Sequence, residues 1–223
     1  MCKFAPRFFN KNQKMGVIVK KEIHDCLLGI WEIKEDFDSL FSRLNLDPDE
    51  IETLDGFKNE SRKIEWLSVR ALINEMTGKD SRIIYNEFRK PFLKGNTFHI
   101  SISHSHDLTS ILMSKAKRVG IDLEYMSHKI STISSKFINH QELITLDPEM
   151  KRYHLYIHWC AKEAMYKICD KQDINFKENL SIFPFEPKED GSIKGRVLNI
   201  HGIEDFRIQY ENMDGYAIAW TCK

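Results

Sequence analysis

Two short stretches of this chain carry residues whose types and spacing could do chemistry. The first is Gly120-Ile121-Asp122-Leu123-Glu124. On a strand, alternate side chains share a face, so Asp122 and Glu124 point one way and Ile121 and Leu123 the other. Adjacent carboxylates repel unless a cation joins them. Magnesium suits such a pair, because it takes hard oxygen ligands and usually combines a few carboxylates with substrate phosphates. Acidic pairs of the same spacing occur at Asp36/Asp38, Asp47/Asp49 and Glu50/Glu52. There a solvated face is the simpler reading; the apolar alternation around Asp122 and Glu124 sets that pair apart. The second stretch is His158-Trp159-Cys160-Ala161-Lys162-Glu163-Ala164-Met165-Tyr166-Lys167. Glu163 and Lys167 share a helix face. A surface ion pair would explain them, but most other directions on this segment are apolar, which marks a largely buried helix. A glutamate and two lysines in that setting call for a ligand.

Two further stretches add polar groups. Ser101-Ile102-Ser103-His104-Ser105-His106-Asp107 ends a predicted strand. Its hydroxyls and imidazole could donate to phosphate oxygens, cap the strand end, or, through His104 and His106, bind zinc. A metallo-hydrolase pattern would place another histidine after Asp107, where this chain has Leu108. Arg89-Lys90-Pro91 reads as a basic turn. Arg62 and Arg70 lie on roughly one face of a helix, so one could reach a ligand while the other is solvated.

These residues need elements to position them. Residues 16–20 and 25–33 read as strands from their β-branched and aromatic content. Phe37, Leu40, Phe41 and Leu44 repeat at helical spacing, and Asp47-Pro48 signals another helix start. A longer helix is predicted from about Lys58 to Met76, with Ile64, Leu67, Ala71 and Ile73 buried and Gly78 ending it. Over 97–103, Phe98, Ile100 and Ile102 share one face, and His99, Ser101 and Ser103 the other. Residues 108–114 and 119–125 are further strands. Asp147-Pro148 opens a second long helix, and strands close the chain at about 193–200, 206–211 and 215–221. The order of elements implies an α+β fold of two similar lobes related by a pseudo-two-fold, each a small antiparallel sheet packed on a long helix. The lobes would cover residues 1–117 and 118–223, with a ligand-binding cleft between them.

Composition bounds the function. The chain has 223 residues, with 33 Lys+Arg against 33 Asp+Glu, so its formal net charge is zero. A general nucleic-acid binder would show a basic excess; no nucleic-acid partner is expected. Hydrophobic residues make up 42% and charged residues 30%, the profile of a globular chain. The five cysteines, Cys2, Cys26, Cys160, Cys169 and Cys222, are odd in number and show no CxxC spacing. That suggests reduced thiols in a reducing compartment. The start of the chain shows no apolar region of a secretory signal, and no apolar run approaches the ~20 residues of a membrane span. The expected setting is the cytoplasm.

Taken together and in order, the chain resembles the surfactin-type 4′-phosphopantetheinyl transferases. The likeness rests on Lys90-Pro91, Ile102-Ser103-His104-Ser105, Val119 through Glu124, and Trp159 through Lys167. It covers about residues 60–170, and the full length suits the two-lobe type rather than the half-length trimeric synthases. Departures are small: Arg89 stands where many relatives have Gly, Ala164 where others have Ser, and Ser101 where Asn is common.

The resemblance implies transfer of the phosphopantetheine arm of coenzyme A to a serine of an apo acyl or peptidyl carrier protein, releasing 3′,5′-ADP. This is holo-acyl-carrier-protein synthase activity, serving fatty-acid, polyketide or nonribosomal-peptide synthesis. Asp122, Glu124 and Glu163 would hold Mg2+, and Lys162 and Lys167 would meet phosphate oxygens. Ser103, His104 and Lys90 would bind the 3′-phosphate end of the nucleotide, with Arg62 as a further contact. Catalysis would rest on Glu163, Asp122, Glu124 and Lys167, with Glu163 as general base, directly or through water. The expected partners are coenzyme A and a carrier protein, with no membrane, and the chain would act as a monomer. The alternatives are a non-catalytic carrier-protein or nucleotide-binding module, and a zinc hydrolase built on His104 and His106.

Overall fold

The computed structural model describes residues 16–95, 97–169, 174–200 and 202–223. Cys2 and the rest of the N-terminal stretch read above lie outside them. The fold is α+β, with two antiparallel sheets. The first contains β1 (Val17–Ile23), β2 (Cys26–Glu32), β3 (Ile83–Tyr85), β4 (Pro91–Leu93), β5 (His99–Ser105) and β6 (Leu108–Ser114), in the order β1-β2-β6-β5-β4-β3. The second contains β7 (Val119–Tyr125), β8 (Leu180–Ile182), β9 (Asp190–Asn199), β10 (Gly202–Met213) and β11 (Tyr216–Cys222), in the order β7-β11-β10-β9-β8. Short helices α1 (Phe37–Phe41) and α2 (Pro48–Asp55) precede the long α3 (Glu60–Thr77). In the second half, the short α4 (Ile130–Ile133) precedes the long α5 (Pro148–Ile168).

The helix signals in the sequence work as expected. Asp47 caps α2 in a full capping box, with Pro48 in the first turn. Asn59 caps α3, which ends at Gly78 with φ 71°, the left-handed conformation that glycine adopts without a Cβ clash. Asp147 caps α5. The buried side of α3 is wider than the sequence suggests: Trp66 through Ile73 are all buried, and Ile64 is only half-buried. The three-residue strands β3, β4 and β8 were not visible in the sequence, being too short to show a period.

Three apolar clusters organise the molecule. One joins α3 to the first sheet through Leu67, Leu72, Ile73, Ile100, Ile111 and Met113. A second joins α5 to the second sheet through Ile157, Cys160, Met165, Ile193 and Ile208. The third lies between the sheets, where Leu28, Ile30, Leu108 and Leu112 meet Val119, Ile121, Leu123 and Trp220. Among the described residues, no two cysteines are joined by a disulfide. Among the described residues, no helix is long and apolar enough to cross a membrane.

Gly120 controls how closely α5 lies against β7. A Cβ there would stand 2.0 Å from the Ala164 carbonyl oxygen. Backbone cannot retreat like a flexible side chain, so even a methyl group would push the helix off the strand. Gly120→Ala is expected to destabilise the protein by about 3 kcal/mol, the upper range for overpacking; urea unfolding checks this, and an unchanged midpoint would refute the close approach.

The second cluster also encloses an ionic group. Glu142 accepts from Lys162 Nζ at 2.8 Å, from the Asn139 N–H at 2.8 Å and from the Ile182 N–H at 2.7 Å. Lys162 also donates to the carbonyls of Phe137 and Phe176. Burial pushes the Glu142 carboxyl up, but adjacent His158 and Lys162 outweigh it and hold it below its usual range. His154 and His158 pack against each other and against Phe185. Burial, reinforced by neighbouring His158, pushes the His154 imidazole down to about 4, so it stays neutral in the fold. The unfolded imidazole takes up its proton near pH 6.5. Stability is therefore full above that pH and falls as the pH drops toward 4. Denaturant titrations at pH 7, 6 and 5 should show a progressive loss that is shallower in His154→Gln; an identical slope in the variant would remove His154 as the cause.

Candidate functional site

The site is built where the edge of the second sheet crosses the first. Strand β7 is an edge strand, with backbone N–H groups that sheet pairing leaves open. Three of them are taken by serine hydroxyls of β5: Ile121 N–H donates to Ser101 Oγ at 3.0 Å, Leu123 N–H to Ser103 Oγ at 3.3 Å, and Tyr125 N–H to Ser105 Oγ at 3.1 Å. Two of the hydroxyls pass a hydrogen bond onward. Ser103 donates to Asp122 Oδ1 at 2.8 Å and Ser105 to Glu124 Oε2 at 2.9 Å.

Helix α5 supplies the other side. Trp159 Nε1 donates to Glu124 Oε1 at 3.4 Å. Lys167 Nζ donates to Asp122 Oδ1 at 2.8 Å and to the Ile121 carbonyl at 2.9 Å. Glu163 is one helical turn from each of these residues and on the same face, so its half-buried side chain belongs to the face turned toward β7.

The carboxylates suit a hard divalent cation. Asp122 is 4% exposed, and its Oδ2 is buried without a hydrogen-bond partner, an arrangement that costs free energy unless something satisfies it. Burial and the neighbouring Asp122 charge push the Glu124 carboxyl up; Ser105, Trp159 and Lys167 oppose that shift. A divalent ion would relieve both strains, and an all-oxygen donor set fits magnesium. The expected convergence of Asp122, Glu124 and Glu163 is not formed in this structure. Among the described residues, no three His, Cys, Asp or Glu side chains are gathered closely enough to hold a metal. The Lys167 ammonium, rather than a third carboxylate, is the group seated against Asp122.

Beside this carboxylate edge opens a cleft of about 240 Å³. Its lining includes Arg62, Glu65, Arg89, Lys90, His104 and Lys167. Apart from Lys167, every lining residue lies in the first half of the chain, so the cleft is chiefly a feature of α3, β5 and the β3–β4 turn. Arg62 pairs with Glu65 at 2.8 Å and donates to His104 Nε2 at 2.6 Å. The guanidinium can only donate, so His104 accepts and is neutral at Nε2. Burial pushes its imidazole below the usual range; Glu65 opposes this, and the Arg62 and Lys167 charges reinforce it. The cleft therefore combines several cations with one carboxylate, a setting for a polyanion.

Several expected site residues stand elsewhere. Lys162 does not enter the cleft: it is fully buried against Glu142 in the core behind α5, about 100° around the helix from Glu163. Ser103 is separated from His104 because successive side chains of β5 point to opposite faces. His104 meets α3, while Ser103 faces β7 and holds Asp122. His104 and His106 do not form a ligand pair; His106 sits exposed in the β5–β6 turn with its ring 4.8 Å from that of Tyr125. Arg70 is buried, bonded to Glu50 at 2.9 Å and stacked on Trp66. Arg62 is the arginine of that pair left half-open to the cleft. Glu65, Ser105 and Trp159 were not assigned to the site from sequence, although Ser105 follows directly from the alternation of β5.

Comparison with known proteins bears on the second half. Residues 118–221 match the family model of the 4′-phosphopantetheinyl transferase superfamily. That span contains β7, α5 and β11, and with them Asp122, Glu124, Glu163 and Lys167. The chain is also similar to the 4′-phosphopantetheinyl transferase AcpT of Escherichia coli O157:H7 and to that of Escherichia coli strain K12. Each is 28% identical over 112 residues, a match covering 48% of this chain. The chain spans 57% of the length of these curated relatives.

Proposed function

We propose that the protein transfers the 4′-phosphopantetheine group of coenzyme A to a serine of an apo acyl or peptidyl carrier protein, releasing 3′,5′-ADP. The observation that carries this reading is the Asp122 and Glu124 pair, one oxygen of it buried and unpartnered, at the end of a cation-lined cleft. The family match over 118–221 and the transferase names of the relatives support it. The chain would be of the surfactin type. Its lobes would divide at 117/118, and it would act as a cytoplasmic monomer with fatty-acid, polyketide or peptide-synthetase carriers as substrates.

In this reading Asp122 and Glu124 hold Mg2+ and Glu163 completes the set. When bound, such an ion would supply charge neutralisation for phosphate chemistry. Phosphoryl transfer depends mainly on positioning and electrostatics, and the chain's own residues provide both. Ser103 and Ser105 fix the carboxylates against β7. Lys167 is free to exchange its bond to Asp122 for a phosphate oxygen. Arg62, Lys90 and neutral His104 bind the phosphates of the nucleotide, His104 donating through Nδ1. Glu163, on the open face of α5, accepts the proton of the attacking serine, directly or through water. Lys162 acts through the core and contacts no substrate.

Incubation with coenzyme A, magnesium and an apo carrier protein should add one phosphopantetheine mass to the carrier. Asp122→Asn keeps the size of the side chain and its contact with Ser103, and should lower turnover by about 100-fold or more while the fold persists. Full activity in that variant would remove Asp122 from the reaction. Coenzyme A binding without transfer to a panel of fatty-acid, polyketide and peptide-synthetase carriers would favour a binding module.

A further inference from the structure

Two thiols meet at the edge of the apolar cluster between the sheets, and neither lines the cleft. Cys26 opens β2, directly after the β1–β2 turn formed by His24 and Asp25. Cys222 ends β11 and pairs with Val119 at the start of β7. One thiol therefore belongs to the first sheet and the other to the second. The segment that joins the sheets brings them together. Lys117 Nζ donates to the His24 carbonyl at 2.9 Å and to Asp25 Oδ2 at 3.1 Å, and Ser114 Oγ donates to the Asp25 carbonyl at 2.9 Å. At the next residue, Arg118 and Lys223 exchange backbone hydrogen bonds at 2.6 and 2.9 Å. The turn that carries Cys26 and the strand end that carries Cys222 are thus tied to the same few residues.

Cys26 is buried in that cluster, and the half-buried Cys222 packs against it. The Cys222 S–H donates to Cys26 Sγ. This hydrogen bond, aided by Ser114 and the Lys117 ammonium, holds the Cys26 thiol below its ordinary range against the opposing effects of burial and the Asp25 charge. Contact with Cys26, together with burial, pushes the Cys222 thiol up. The proton of the pair therefore rests on Cys222, and Cys26 carries the thiolate character, beside a lysine, that makes a cysteine reactive. Sulfurs already in contact need only small side-chain rotations to reach bonding distance. Cys160 and Cys169 stand apart from this pair, enclosed in the α5 cluster, and burial keeps the Cys160 thiol protonated.

We infer that Cys26 and Cys222 form an oxidative modification site, which hydrogen peroxide converts to a reversible disulfide that fastens the two sheets together. The Cys26 sulfur attacks one peroxide oxygen and breaks the O–O bond. It becomes a sulfenic acid, and the other oxygen leaves as water with the Cys26 proton. The Cys222 sulfur then attacks the Cys26 sulfur; the S–S bond forms, and the sulfenic oxygen leaves as a second water with the Cys222 proton. The two thiols give up two electrons, and one peroxide is reduced to two waters. A dithiol reverses the step by exchange, as suits a compartment where disulfides are transient. The bridge would close a loop of nearly the whole chain, and long loops are where a cross-link restricts the unfolded state most. The inference stands apart from the transferase reading and holds or fails without it.

Peptide mass mapping without reduction tests it on the full chain, first reduced, then freed of reductant and treated with equimolar hydrogen peroxide. The peptides that carry Cys26 and Cys222 should appear linked, lighter by two hydrogens than their sum, and separate again after dithiothreitol. Both thiols still open to alkylation, sulfinic or sulfonic acid at Cys26 without a bridge, or a bridge that instead joins Cys2, Cys160, Cys169 or a second copy of the chain overturns the inference. The oxidised chain should melt about 5 °C higher than the reduced chain; an unchanged or lower melting temperature overturns the claim that the bridge fastens the sheets. In Cys222→Ser, the same treatment should leave the melting temperature where it was and leave a sulfenic acid at Cys26 that dimedone traps. An equal rise in that variant counts against the pair. Should Cys222→Ser not fold, the mapping of the unaltered chain decides alone.

Discussion

The site depends on three serine hydroxyls that stand in for a strand. The edge strand β7 must satisfy its outward N–H groups, and it does so on Ser101, Ser103 and Ser105 of β5 rather than on another backbone. A hydroxyl that accepts from an N–H still has its own proton to give. Ser103 and Ser105 give theirs to the two carboxylates. One set of groups thus joins the sheets and orients the acids. A conventional strand pairing could have joined the sheets, but its carbonyls would have had no proton for a carboxylate.

Buried carboxylates need more than orientation. Removing Glu124 from water disfavours its charged form, and the neighbouring Asp122 charge adds to the cost. The fold offsets this with the serines, with the Trp159 indole and with the Lys167 ammonium, but leaves Asp122 Oδ2 unmatched. Groups so arranged are strained toward binding a cation. Glu163 lies on the same helix face, between Trp159 and Lys167. Gly120 makes this possible by letting α5 approach β7 closely enough for helix side chains to reach strand carboxylates.

Much of this was legible in the sequence, and the reasons are specific. The alternation of β7 placed Asp122 and Glu124 together, and the helical period placed Glu163 and Lys167 on one face; both follow from local geometry. The helix starts at Asp47 and Asp147 and the ending at Gly78 are local as well. The resemblance assigns Ser103 and His104 to one nucleotide end, but side chains alternate along β5, and the structure sends the two to opposite faces. Glu142 was invisible because its partner Lys162 is 20 residues away and its cradle comes from backbone N–H groups of one loop and a short strand. Contacts that tertiary packing creates leave no period behind.

Lys162 and Lys167 show why proximity in a motif does not fix a role. Both are lysines on one helix beside one glutamate. Five residues of α-helix turn the second about 140° from the first, enough to send one ammonium into the core and the other to the β7 edge. Lys162 is enclosed by Glu142 and two backbone carbonyls, and a charge so completely matched has nothing to offer a ligand. Lys167 is bonded to Asp122 and lines the cleft as well. Its bond can be exchanged, because an arriving cation would take over Asp122 while an arriving anion took over the ammonium. The two events reinforce each other, so a ligand that brings phosphate and divalent ion together would displace this ion pair more readily than either component alone.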